Sequence, residues 1–155
     1  LNVPYRQPLN YREELLEQAS SDYDKIRRAY NGLYRKCEEL GILDGKFNEL
    51  KELKEEFIEA LANDFNAANG LTVIFKVAKL ANNIIREKKA DPEQMLGILK
   101  LFGDMLWVYG IETLIKPLTP EEKSLLARYH EARKAKNYEL SDQLREEILA
   151  QGIEL

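Results

Sequence analysis

The sequence predicts an all-α chain: a four-helix antiparallel bundle over residues 1–115, then a small helical hairpin over residues 116–155. Three observations carry this. Apolar residues recur at alternating spacings of three and four, the period of a helix with one buried stripe. Helix-start signals stand where those stripes begin: Asn10 with Glu13, Asp91-Pro92, and Thr119-Pro120-Glu121-Glu122. Through the bundle region, no segment shows the alternation of a half-buried strand.

The elements follow in order. Pro4 and Pro8 bracket an extended lead-in, and the Asn10–Glu13 capping box opens a long helix. Its stripe is Leu16, Ala19, Tyr23, Ile26, Tyr30, Leu33, Cys37 and Leu40, ended by Gly41. A connection through Gly41 to Gly45 leads to a second helix, with Leu50, Leu53, Phe57, Ala60 and Leu61 on one side, which ends near Asp64 to Asn66. A third runs from about Ala68 to Lys88 on Leu71, Phe75, Ala78, Ala81, Ile84 and Ile85. Asp91 caps a fourth, with Pro92 at its first position and Met95, Ile98, Leu99, Phe102, Met105 and Leu106 inward, closing near Gly110. Short connections between amphipathic helices imply an up-and-down bundle.

The helical signal lapses from Ile111 to Leu118, and Lys116-Pro117-Leu118 is the best boundary. A fifth helix starts at the Thr119 capping box, carries Leu125, Tyr129 and Ala132 inward, and breaks near Lys136-Asn137. A sixth takes Leu140, Leu144 and Ile148 to Gly152. Ile153-Glu154-Leu155 reads as the start of a strand, so the terminal unit is expected to be truncated. The chain does not begin with Met and is expected to be a piece of a longer polypeptide.

Composition bounds the chemistry. At 45% hydrophobic and 32% charged, 155 residues suffice for one or two ordinary globular domains. Charges interrupt every apolar run, and the N-terminus lacks a basic-then-apolar signal pattern, so a cytoplasmic location with no membrane partner is expected. A single cysteine, Cys37, excludes an internal disulfide and a multi-cysteine zinc site; a single histidine, His130, excludes His-rich metal sites. Cys37 is expected buried and inert, and Trp107, Phe102 and Phe65 are expected in the core. Paired acids such as Glu55-Glu56 and Glu146-Glu147 fit solvated helix faces better than acid/base dyads. No catalytic constellation emerges. A net charge of −4 argues against a surface that binds nucleic acid everywhere, so any such contact must be local.

One stretch is locally basic. Between Leu125 and Tyr138, Arg128, Arg133, Lys134 and Lys136 meet a single acid, Glu131. A positive strip can hold phosphates on an acidic protein, although such residues more often form a solvated face. Arg133 offers a planar fork of donors, Tyr138 a stacking face and Asp142 acceptors for a base N–H, the groups that read unpaired bases. The bland alternatives are that Tyr138 packs between the two helices and that Asp142 pairs with Arg145. Lys25, Arg28 and Arg35 along the first helix form a second basic stripe, balanced by Asp22, Asp24, Glu38 and Glu39.

Three segments, in order, resemble bacterial cysteinyl-tRNA synthetases: Tyr5-Arg6-Gln7-Pro8-Leu9-Asn10-Tyr11, Asp64-Phe65-Asn66-Ala67-Ala68, and the terminal stretch from Ala132 to Ile153. The resemblance implies a bundle of the class I synthetase anticodon-binding type, then the start of the anticodon-recognition unit. It also implies that Arg133, Tyr138 and Asp142 meet anticodon bases; Lys136, from its charge and place beside them, is expected at a phosphate. Ala67 departs from the family's capping Thr, and the Asp-x-x-x-Gly-x-x-Trp stretch is missing. Also absent are the His-x-Gly-His and Lys-Met-Ser-Lys-Ser motifs and the zinc ligands. By this resemblance the fragment is no enzyme and binds neither ATP nor zinc; both are expected only in the catalytic domain of a parent cysteine-tRNA ligase. Its implied partners are cysteine tRNA and that catalytic domain in cis, and it is expected to be a monomer. Two alternatives stand beside this: a helical bundle that binds another protein, and the equivalent domain of another class I synthetase such as the arginyl enzyme.

Overall fold

The computed structural model describes residues 12–63, 67–113 and 115–155. All its regular structure is helical: α1 (Arg12–Glu39), α2 (Lys51–Ala62), α3 (Ala67–Arg86), α4 (Pro92–Val108), α5 (Pro120–Lys134) and α6 (Tyr138–Ala150). Asn10, expected to cap the first helix, and the Asp64–Asn66 turn lie outside the described residues. Contacts divide the chain into two compact units, residues 1–114 and residues 115–155.

In the first unit α3 is the central element, packing against α1, α2 and α4, while α1 and α4 also meet each other. A helix with three neighbours must bury more than one stripe. This is why Val73, Ile74 and Val77 join Ala78, Ala81 and Ile84 in the core, whereas Leu71 and Phe75, prominent in the sequence pattern, are half-buried. The hydrophobic α4 buries Met95 through Leu99, Leu101, Phe102, Met105 and Leu106. Asp91 starts it as expected, its carboxylate accepting from the Glu93 N–H at 3.1 Å. Phe102 is fully buried and meets the Tyr30 ring edge-to-face, with centroids 5.5 Å apart at 83°. An exposed ion pair from Lys76 to Glu56 links α3 to α2.

The connection from α1 to α2 runs along the start of α4. There the Asn48 N–H donates to the Glu93 carbonyl at 3.0 Å, and Gly97 leaves room for the Asn48 carbonyl. A Cβ on Gly97 would stand 2.0 Å from that oxygen.

Several sequence expectations need correction here. Trp107 is not core: it is 81% exposed. The cause is angular, since Met105 and Leu106 take the inward positions of the last α4 turn and the next residue rotates out of the stripe. Val108 beside it is exposed as well. Leu40, past the last turn of α1, is 51% exposed, and Ala19 and Tyr23 are exposed as well. Only from Ile26 onward does the described part of α1 bury its stripe, in Ile26, Ala29, Leu33 and Cys37. A helix of 28 residues is about 42 Å long, and its described first half extends past the core that covers its second. The basic stripe of α1 is balanced locally, with Lys25 3.7 Å from Asp22 and Arg35 3.1 Å from Glu38. Ile153-Glu154-Leu155 forms no strand; Ile153 is buried in the hairpin core, its N–H returning to the Ile148 carbonyl at 3.3 Å.

Cys37 is fully buried, and desolvation pushes its thiol up to about 11. Alkylation by iodoacetamide at pH 8 should therefore be slow in the folded chain and fast in urea; equal rates in the two states would contradict the burial. Because the folded thiol titrates above its ordinary value of 9.0, stability contributed by the neutral form is intact below about pH 9. It falls as pH rises from there through about 11. Among the described residues, no helix is long and apolar enough to cross a membrane, and no group of three His, Cys, Asp or Glu side chains could hold a metal.

Candidate nucleic-acid interface

The second unit is a helical hairpin around one small core: Leu118, Leu125, Leu126, Tyr129 and Ala132, then Ser141, Leu144, Ile148 and Ile153. The predicted capping box is present. The Glu122 N–H donates to Thr119 Oγ1 at 3.2 Å, and the Thr119 N–H donates to Glu122 Oε2 at 2.8 Å. Buried Ser141 satisfies its hydroxyl by donating to the Tyr138 carbonyl at 3.0 Å. The helices reverse at Ala135, Lys136 and Asn137, where Asn137 Oδ1 accepts from the Leu140 N–H at 3.3 Å and starts α6.

Arg133, Lys136, Tyr138 and Asp142 are all exposed. Tyr138, at 63% exposure, does not pack between the helices. Among the described residues Asp142 has no hydrogen-bond or ion-pair partner, and the local pairing with Arg145 is not made. Arg133 is braced: its Nη1 donates to Tyr129 Oη at 3.3 Å, and its guanidinium carbon lies 5.9 Å from the centre of the Tyr129 ring. Tyr129 is itself buried, so it fixes one edge of the guanidinium and leaves the other donors facing water. In the sequence Tyr129 stands out only as a core residue; its spacing of four from Arg133 is the signal that finds this second role.

Helical geometry puts three of these groups on one side of the hairpin. Arg133 follows Tyr129 by four and Ala132 by one, which rotates it to one flank of the buried stripe of α5. Tyr138 and Asp142, four apart, lie on the flank of the same hand beside the Ser141–Leu144–Ile148 stripe of α6. When two antiparallel helices pack stripe to stripe, flanks of the same hand fall on the same side. A short turn joins the end of α5 to the start of α6, so Arg133 and Tyr138 both stand at the turn end of that side. The basic residues do not all share it. Arg128, five residues before Arg133, falls on the opposite flank of α5, and Lys134 points outward between the two. The positive strip read from the sequence is thus divided, with Arg133 on the side of the aromatic ring and the carboxylate.

Comparison with known proteins adds two likenesses. Residues 56–111, from within α2 to just past α4, match the DALR domain. The chain is 36% identical over 158 residues to the cysteine–tRNA ligase of Geobacillus sp., covering 99% of this chain and 34% of that protein. The chain thus resembles the DALR domain over part of its length and cysteine–tRNA ligases over nearly all of it. Identity to the cysteine–tRNA ligase of Halalkalibacterium halodurans is 34% over 159 residues, again 99% of this chain and 34% of the relative. To that of Enterococcus faecalis it is 30% over 156 residues, 97% of this chain and 33% of the relative. The chain thus spans about a third of the length of the relatives it matches. The DALR domain stops short of α5, but the likeness to the ligases runs on through the hairpin. No solved structure matches the chain.

Proposed function

We propose that this chain is a tRNA-binding, anticodon-reading segment of a cysteine-tRNA ligase, which positions cysteine tRNA for aminoacylation by a class I catalytic domain. The observation that carries the reading is the exposure of Arg133, Tyr138 and Asp142 on one side of the α5–α6 hairpin, with Arg133 held in place by Tyr129. A single-stranded anticodon presents flat faces and unpaired edges. Tyr138 supplies a surface for stacking, Arg133 donors for a base carbonyl or ring nitrogen, and Asp142 an acceptor for a base N–H. Bracing matters because a guanidinium already held in one orientation loses less freedom on binding. Lys136 contributes a phosphate contact, which positions without reading sequence. Selectivity arises because a wrong base leaves a desolvated donor or acceptor unpaired. Adenylate chemistry, with its ATP and zinc, belongs in this reading to the catalytic domain and to no residue of this chain. Support for cysteine tRNA as the partner comes from the likeness to cysteine–tRNA ligases across the hairpin as well as the DALR domain.

The test compares RNA hairpins carrying the cysteine anticodon and a changed one. Arg133→Ala and Asp142→Ala should each reduce the preference between them by roughly tenfold or more, the usual scale of a lost base contact. Affinity for the changed anticodon should fall much less. Intact preference in both variants would overturn the assignment.

A further inference from the structure

Four helices end in the same way, and one of them uses an unexpected residue. After α1, α4 and α6 the chain turns through Gly41, Gly110 and Gly152, with φ of 68°, 68° and 79°. Each N–H returns three residues back, and the following N–H returns five back: Gly41 to Glu38 and Ile42 to Cys37, Gly110 to Trp107 and Ile111 to Leu106, Gly152 to Leu149 and Ile153 to Ile148. The turn after α5 has the same pair of bonds, Lys136 N–H to the Arg133 carbonyl at 3.1 Å and Asn137 N–H to the Ala132 carbonyl at 2.9 Å. Its left-handed position, at φ 58°, holds Lys136, the one non-glycine with positive φ among the described residues. A side chain with a Cβ is strained there, whereas glycine is not. The strained residue sits at the tip of the hairpin between Arg133 and Tyr138, is exposed, and has no ion-pair partner among the described residues.

We propose that Lys136 holds this position for its ammonium group, which contacts an RNA phosphate next to the bases read by Arg133 and Tyr138, and that the hairpin carries backbone strain as a consequence. This rests on the anticodon-binding reading. The rival explanation is that the lysine offsets the carbonyls at the end of α5, but Arg133 and Lys134 already supply cations in that last turn. Strain at a residue whose side chain could serve only outward marks a functional position rather than a structural one.

The experiment uses the full chain and an RNA hairpin with the cysteine anticodon, measuring affinity at several salt concentrations and amide hydrogen exchange without RNA. In Lys136→Gly, exchange at the Asn137 and Ser141 amides should slow by about fivefold as the strain is relieved. RNA affinity should fall roughly three- to tenfold near 0.1 M salt, and the log–log salt slope should drop by about one. Lys136→Asn, which tolerates the left-handed conformation without a charge, should lose affinity to the same extent. Lys136→Arg should retain it. A glycine variant that binds RNA as tightly as the parent, or exchanges faster, would overturn the inference while leaving the anticodon reading intact. A parent chain that binds both anticodons equally would overturn that reading instead, and a loss of affinity in the glycine variant would then be charge attraction alone.

Discussion

Phe102→Ala is expected to destabilise the bundle by about 3–5 kcal/mol, the range for removing a large buried aromatic side chain. The ring is fully enclosed in α4 at the meeting of α1, α3 and α4, and it supports Tyr30 through an edge-to-face contact. Truncation removes the transfer free energy of the ring and leaves a cavity among helices that cannot close up independently, because α3 is held by three neighbours. Tyr30 then loses its partner while still partly buried, and desolvation already holds its hydroxyl above the usual tyrosine range. Urea unfolding followed by circular dichroism gives the measurement. Fluorescence is a poor reporter, since the sole tryptophan, Trp107, is mostly exposed in the folded chain. A loss under 1 kcal/mol would mean that Phe102 does not sit in a close-packed core.

Gly97→Ala should also destabilise, by about 2–4 kcal/mol, although alanine is the better helix former by about 1 kcal/mol. The new Cβ would fall 2.0 Å from the Asn48 carbonyl oxygen and 3.1 Å from its carbon. Those are backbone atoms, which cannot rotate away as a side-chain end could. The connection must lift, weakening the bond from the Asn48 N–H to the Glu93 carbonyl. Gly103 in the same helix supplies the control. A Cβ there meets Tyr30 at 3.5 Å, an ordinary contact, so Gly103→Ala should be neutral or stabilising by up to about 1 kcal/mol. Equal effects at the two glycines would contradict the packing of the connection on α4.

Much of this arrangement is legible in the sequence, for identifiable reasons. Helix starts at Asp91 and Thr119 rest on local chemistry, a side chain meeting an N–H two or three residues away, and such bonds form whatever the rest of the chain does. Helical periodicity likewise places Leu33, Phe102, Leu144 and Ile148 inside. What periodicity cannot give is the number of neighbours a helix has. The centrality of α3, which buries Val73, Ile74 and Val77, comes from packing, as does the exposure of Ala19 and Tyr23 on α1. Hydrophobicity misleads at Trp107, because a large apolar side chain one step beyond the inward positions has no partner. It misleads again at Ile153, whose burial needs only a turn and the hairpin core, not a strand. At the candidate site, Arg133, Tyr138 and Asp142 are nameable from residue type and family likeness. The bracing by Tyr129, the division of the basic cluster between two flanks and the strain at Lys136 are consequences of three-dimensional form.

The most direct measurement is a map of backbone amide shifts as an RNA hairpin bearing the cysteine anticodon is added to the chain. The expected result is that the largest perturbations gather between Arg133 and Arg145, centred on Tyr138 and Asp142, and shrink when the anticodon is changed. Perturbations confined to the Lys25–Arg35 stretch of α1, or unaltered by the anticodon, would contradict it.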